Sequence, residues 1–181
     1  MHVRTMALLL AMVPSFAGAE RPSSSEYEVK AAFIYNFAKF VEWPHADGAP
    51  SRPFVVVVLG TDPFGPVLDD ALRGKTVGGS EIVIRRVARV EDVGRCEILY
   101  ISNSERKHLS PILKHVGSEA ILTVGDNVDF ASLGGIIGFR LQGERIRLDI
   151  SVSAAERAGL RISSQLLRVA RLVGPVPGGG S

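Results

Sequence analysis

The chain has 181 residues, 46% of them hydrophobic and 22% charged, with a formal net charge of +2. That is enough for one domain of ordinary size with a real core. It excludes a chain too polar to fold, and it argues against a nucleic-acid binder, whose affinity needs a dense basic patch.

In chain order, residues 1–19 read as a cleavable export signal. MHVR supplies a short positive start, MALLLAMVPSFA an apolar stretch too short to span a bilayer, and Ala17-Gly18-Ala19 a small-x-small cleavage site. Cleavage removes Arg4 and no acidic residue, so the mature chain stays close to neutral. No lipobox cysteine is present, so the expected product is a soluble protein of the periplasm, where nucleic acid and ATP are poor candidates as ligands. No later segment approaches the roughly 20 apolar residues of a membrane helix. The expected organisation is one α/β domain over residues 20–173 and a Pro/Gly-rich flexible tail, GPVPGGGS, over 174–181.

Ser23-Ser24-Ser25-Glu26 can cap a helix running to about Trp43, with Pro44 as its stop. On a helical wheel Tyr27, Val29, Ala31, Phe33, Ile34, Phe37, Ala38, Phe40 and Val41 fill an arc of roughly 200°, about twice the stripe needed to lie on one sheet. The surplus implies a second neighbour: the last helix of the same chain, a second subunit, or a partner protein. Lys30 falls inside the apolar arc. It must either snorkel, which its place in the first turn favours, or pair with a carboxylate such as Asp126 or Asp149.

PFVVVVLG, residues 53–60, is a continuous β-branched run of the kind buried on both faces of a parallel sheet. A short helix is expected over 64–73, an alternating strand over 81–87, and a buried strand over 96–101. A helix capped at Ser102 or Ser104 follows to Val116, then a core strand over 120–124. Residues 135–141 and 145–150, joined by Gln142-Gly143-Glu144, read as an antiparallel hairpin. Ser153-Ala-Ala-Glu156 matches a capping box and opens a long last helix to about Val173. The fold class is therefore α/β: a layered, mostly parallel sheet flanked by helices, with a C-terminal antiparallel hairpin and a long last helix.

Enzyme signatures are missing. Gly60-Thr-Asp-Pro-Phe-Gly65 sits where phosphate loops sit, but it lacks the Lys-Ser/Thr of a P-loop, and neither G-x-G-x-x-G nor G-x-S-x-G occurs. His108 and His115 lie seven residues apart on one helix, and His45 stands alone, so neither a metal nor another cofactor is expected. Cys96, the single cysteine, cannot form an intramolecular disulfide; in a strand-like run it reads as a small buried hydrophobe, with a reactive thiol or an intermolecular disulfide as alternatives. Gly134-Gly135 and Gly138 allow close backbone approach or a bulge.

On the expected last helix Arg157, Arg161, Arg168 and Arg171 fall within about 80° of one another. They form either a solvated face or a basic ridge that meets an acidic partner surface. Trp43 ends the first helix and either caps the core or anchors an interface. Arg157, Arg161, Arg168 and Arg171, with Trp43, Phe37 and Phe40, are the candidate partner-binding residues.

The stretches EYEVKAAFIYNFAKFVEWP, CEILYIS, ILTVGDNVDFASLGGIIGF and RIRLDISVSAAERAGLRISSQLLRVARLV, in this order and spacing, resemble the YfiR/HmsC-like family of periplasmic proteins, the domain DUF4154. The resemblance implies an α/β domain, often dimeric, without enzymatic activity. It implies a repressor that occupies the periplasmic sensor domain of a membrane-bound diguanylate cyclase, lowering cyclic-di-GMP and biofilm formation. Members of the family commonly carry disulfides; with one cysteine this chain departs from that pattern. The alternative is a periplasmic small-ligand module serving another sensor such as a histidine kinase, with a pocket near Gly60–Gly65 and Gly134–Gly135 at the strand C-termini.

Overall fold

The computed structural model describes residues 24–44 and 52–174. The expected export signal lies outside the described residues, as does the tail beyond Gly174. The elements are helix α1 (Ser24–Phe40), strands β1 (Val41–Glu42) and β2 (Phe54–Leu59), helix α2 (Pro66–Leu72), and strands β3 (Thr76–Val77), β4 (Ser80–Val87) and β5 (Ile98–Ile101). Then come a 3₁₀ segment (Asn103–His108), helix α3 (Leu109–Val116), and strands β6 (Leu122–Gly125), β7 (Ile137–Gln142) and β8 (Arg145–Ile150). The chain continues through helix α4 (Val152–Arg157), strand β9 (Arg161–Ile162), helix α5 (Ser164–Leu167) and strand β10 (Ala170–Leu172).

The main sheet has eight strands in the order β10-β8-β7-β6-β5-β2-β4-β3. Strands β4, β2, β5, β6 and β7 run parallel; β8 turns back antiparallel to β7, and β10 lies parallel to β8. The expected α/β class, mostly parallel sheet and C-terminal hairpin are thus present. A second, two-stranded ribbon joins β1 to β9, with Val41 opposite Ile162.

The sheet separates two apolar layers. On one side Val56, Val58, Ile98, Tyr100, Leu122, Val124, Ile137, Phe139, Leu148 and Ile150 face Ile34, Phe37 and Val41 of the first helical segment. On the other, Val57, Leu59, Leu99 and Ile101 face Leu109, Ile112 and Val116 of α3. Successive strand residues point to opposite faces, so the unbroken apolar runs at β2 and β5 are what two covered faces require.

Most of the wide apolar arc of α1 is covered within the chain, though not by a long last helix, and Val29 stays 45% exposed. Besides the sheet, α1 packs mainly on α2 and only slightly on α5. Tyr27 meets the Phe64 ring edge-on at 5.2 Å, and Lys75 lies 4.2 Å above the Tyr35 ring. Helix α1 also ends earlier than its periodicity suggests, because Val41 and Glu42 extend to pair with β9.

The expected long helix over 153–173 does not form. Ser151, not Ser153, caps α4, accepting from the Ala154 amide at 3.3 Å. The helix closes at Gly159, whose φ of 68° is a left-handed turn that glycine adopts without strain. Ile162 is then claimed by β1, Ser163 caps the single turn of α5, and Ala170–Leu172 pairs with β8. The segment is rich in good helix formers, but Gly159 divides it into pieces too short to be stable helices by themselves, and pairing with β1 and β8 offers its backbone groups other partners.

Candidate partner interface

The break at Gly159 disperses the four arginines expected to form one ridge. Arg157 ends α4, Arg161 lies in β9, Arg168 follows α5, and Arg171 lies in β10. All four are exposed. Arg161 reaches Glu42 across the β1–β9 ribbon at 3.7 Å, a solvated contact of little energetic weight. Arg171 is engaged more firmly: its Nε and Nη2 donate to the two Asp149 oxygens at 2.9 and 2.5 Å.

Of the aromatic candidates, Phe37 is fully buried and belongs to the core, its ring 6.0 Å from Phe33 and 5.8 Å from Phe139. It offers no surface to a partner. Phe40 and Trp43 are half-buried. The Trp43 ring meets Phe54 edge-on at 5.2 Å, and its Nε1 donates to the Glu97 carbonyl at 3.3 Å. Trp43 therefore closes the end of the core and keeps one side toward solvent.

That exposed side opens on a cavity of about 850 Å³ at the N-terminal edge of the parallel strands. Its floor includes Val41, Trp43, Phe54, Ala120 and Ile121, and Lys39, Glu42, Arg52, Arg95 and Glu119 are among its polar lining. Glu97 is largely buried there: one oxygen accepts the Val55 amide at 2.7 Å, and the other faces Arg52 at 3.2 Å. The carboxylate thus stands where a neighbouring strand carbonyl would otherwise stand, and it ties the start of β2 to the start of β5. Beside it Cys96 is buried, and burial, reinforced by the Glu97 charge, pushes its thiol up to about 12. A thiol that holds its proton this tightly is a poor nucleophile at neutral pH. An apolar floor with a rim of both charges suits an amphipathic ligand or a partner side chain. The cavity lies at the opposite edge of the sheet from Gly60–Gly65, where the sequence reading would look for a pocket.

The C-terminal edge carries a buried polar knot instead. Lys30 does not snorkel. It is 3% exposed, and its Nζ sits 2.5 Å from Glu26 and 2.8 Å from Asp126, 4.5 Å above the Tyr27 ring. Of the two carboxylates proposed for it, Asp126 is the partner; Asp149 serves Arg171 and Arg140. Glu26, one helical turn before Lys30, completes the site. The Tyr27 hydroxyl also donates to Asp126, at 3.4 Å, and burial, then the Asp126 and Glu26 charges, raise its phenol well above the ordinary range. Burial and the same Asp126 charge raise Tyr100. These groups hold protons and charges in fixed places but present no open face for chemistry.

The loop leaving this knot is pinned by glycine. A β-carbon at Gly135 would stand 2.1 Å from the Phe130 ring, and one at Gly125 2.6 Å from it. The ring is gripped between two bare backbones, the close approach expected around Gly134-Gly135. The loop carries exposed Val128 and Leu133, and Asp129 with φ 61°.

Sequence reasoning missed the role of Arg140 and Asp149. The alternation in RIRLDI was the available signal, since it places Arg145, Arg147 and Asp149 on one face.

Among the described residues, no group of three or more His, Cys, Asp or Glu is placed to hold a metal ion, and no helix is long and apolar enough to cross a membrane. A family model described as YfiR/HmsC-like, DUF4154, matches residues 27–171, nearly all of the described fold. The chain belongs to the YfiR/HmsC-like family.

Proposed function

We propose that this protein is an exported regulator that acts by binding. It occupies the periplasmic sensor domain of a membrane-bound diguanylate cyclase and so lowers cyclic-di-GMP output and biofilm formation. The observation that carries this reading is the family match over residues 27–171. The chain's chemistry is compatible with it: burial raises Tyr27, Tyr100 and Cys96 so that each holds its proton, and the buried Lys30 ammonium is paired with Glu26 and Asp126. They do not converge on an open cleft, as catalytic groups do. The exposed side of Trp43 and the outward arginines Arg157, Arg161 and Arg168 supply anchors of the kind that dominate protein interfaces. A second copy of the chain is a further partner under this reading.

Two measurements test it. Deleting the gene should raise cellular cyclic-di-GMP, and the mature protein should retain the periplasmic domain of the cognate cyclase in a pull-down. Unchanged cyclic-di-GMP together with no retention would reject the reading. Arg161→Glu with Trp43→Ala should weaken retention if the β1–β9 ribbon is the contact.

A second reading has one observation in its favour, the 850 Å³ cavity beside Trp43. In it the protein is a small-ligand module that serves another membrane sensor. A ligand that binds only the folded state raises the unfolding temperature, and the rise continues with the logarithm of its concentration once the concentration exceeds Kd. A thermal-shift screen that yields a stabilising compound, whose effect disappears in Trp43→Ala, would favour this reading over repression by protein contact alone.

A further inference from the structure

The sheet is covered by helices on both faces only over part of its width. Strands β7 and β8 send Ile137, Phe139, Leu148 and Ile150 into the α1 layer, and no residue of β7, β8 or β10 belongs to the α3 layer. Their other face carries Arg140 from β7, Arg145, Arg147 and Asp149 from β8, and Arg171 from β10. The register fixes their proximity. Arg140 lies directly opposite Arg147, and Asp149 directly opposite Gly138 on one side and Arg171 on the other. Neighbouring strands stand about 5 Å apart, so the five charged groups share one small patch.

Two observations say what this patch is built to meet. First, like charges directly opposite on paired strands are destabilising, and the register sets Arg140 against Arg147 in the middle of the hairpin. Second, the patch already holds one carboxylate. Asp149 receives Arg171 at 2.9 and 2.5 Å and Arg140 at 3.3 Å, two guanidinium groups converging on one acid. Arg145 and Arg147 make no ion pair among the described residues and are exposed. All four cations are arginine, whose planar fork matches a carboxylate and which lysine does not replace. Beside them the pinned loop, which meets Gly138 through Phe130 and Ala131, carries Val128, 70% exposed, and Leu133, 57% exposed. Apolar knobs next to paired cations are the composition of a protein interface.

We propose that the open face of β7, β8 and β10 docks an acidic segment of a partner protein, whose carboxylates take Arg145 and Arg147 as Asp149 takes Arg171. This rests on the reading of the protein as a regulator that works through a protein partner, and it adds the surface and the charge of what binds there.

The test compares the full mature protein with its Arg145→Glu/Arg147→Glu variant, after confirming that both unfold at the same temperature. One probe is a labelled poly-glutamate peptide followed by fluorescence anisotropy; the other is the cyclase periplasmic domain. Wild type should bind poly-glutamate with an affinity that falls as salt rises, and the variant should bind at least about tenfold more weakly. Arg145→Lys/Arg147→Lys should retain the salt dependence but lose part of the affinity. Equal binding of peptide by wild type and the Glu variant would overturn the proposal, as would binding to phosphatidylglycerol vesicles with none to the peptide. If the wild type and the Glu variant hold the cyclase domain equally well, the face is not the contact, while the repressor reading survives. If wild type holds no cyclase domain and deletion leaves cyclic-di-GMP unchanged, the repressor reading fails, and the peptide result alone decides for or against the acidic-segment site.

Discussion

The two halves of the main sheet obey different rules. Strands β2, β5 and β6 lie between α1 and α3, and their residues FVVVVL, ILYI and LTVG are buried almost without interruption. Strands β7 and β8 continue the same sheet, yet their residues go from buried to exposed along IGFRLQ and back again along RIRLDI. In the first half Glu97 and Thr123 are polar groups with built-in partners, Glu97 holding the Val55 amide and Thr123 the Ile136 amide. In the second, four arginines crowd one face because water and a single carboxylate are enough to hold them. One sheet can thus serve as the scaffold at one end and as the presented surface at the other.

The largest effect that would sharpen this contrast is in the packing. Leu99→Ala removes a fully buried side chain from the two-sided half and should cost about 4 kcal/mol in urea unfolding. Leu141→Ala, on the open hairpin and 54% exposed, should stay within about 0.5 kcal/mol of wild type. Similar costs at the two sites would mean that the two halves are not differently covered.

Charge gives the next contrast. Lys30 sits at the seam, between Glu26 and Asp126, and its removal strands two carboxylates that are nearly out of water. Lys30→Met should destabilise by about 3 kcal/mol, whereas Arg147→Met on the open face should change stability by no more than about 0.5 kcal/mol. Adding Asp126→Asn to Lys30→Met should recover part of the loss, because the stranded charge goes with it. A double variant as unstable as the sum of its parts would show that the two groups do not interact.

A smaller effect comes from the loop between the halves. Gly135→Ala drives a methyl into the Phe130 ring and should cost about 2 kcal/mol by chemical unfolding. Since Gly135 does not need a left-handed backbone, the cost is one of volume, and Phe130→Leu in the same chain should relieve it. No relief would mean that the strain lies in the backbone instead.

Much of this was legible in the sequence where one rule acted alone. The apolar run at 54–59 announced a strand covered twice, and the surplus arc of α1 announced two neighbours; the lysine inside it left snorkelling and an ion pair open, favoured snorkelling, and proved to be paired with Asp126. The failures occurred where a local preference competed with a distant partner. The segment after Ser163 is rich in good helix formers, but a helix this short is marginal by itself, and neither the pairing of Ala170–Leu172 with β8 nor that of Ile162 with β1 can be read from the segment itself. Once that helix was broken, the aligned ridge of Arg157, Arg161, Arg168 and Arg171 had no geometry left, and Arg171 proved to belong with Arg140 and Asp149. The cavity beside Trp43 was equally hidden, because it is assembled from the starts of four strands far apart in the chain.

The smallest expected effect concerns how firmly β10 is held to the open edge. Burial by itself would raise the Asp149 carboxyl, but the hydrogen bonds from Arg171 and then Arg140 outweigh it and hold the carboxyl below its ordinary 3.8. A folded value below the unfolded one means that the unfolded chain binds the proton more readily. The stabilisation is therefore complete above the ordinary carboxylate range and is lost as pH falls through the lower, folded value. At pH about 7 wild type should be more stable than Asp149→Asn, and the difference should shrink steadily below pH about 4. Because Arg171 is more than half exposed, added salt should shrink the same difference at neutral pH. Asp69, held low chiefly by its hydrogen bond from Arg86 at the far side of the sheet, adds acid-labile stability of its own. The two are separated by following the Val173 amide, which donates to the Ile150 carbonyl beyond β10. Corrected for the intrinsic exchange rate at each pH, its protection should fall on acidification in wild type and in Asp69→Asn, and should already be low at neutral pH in Asp149→Asn. An Asp149→Asn chain that keeps the Val173 amide protected at pH about 7 would show that β10 is held by its backbone pairing with β8 alone, with the Arg171–Asp149–Arg140 bridge adding nothing to the edge.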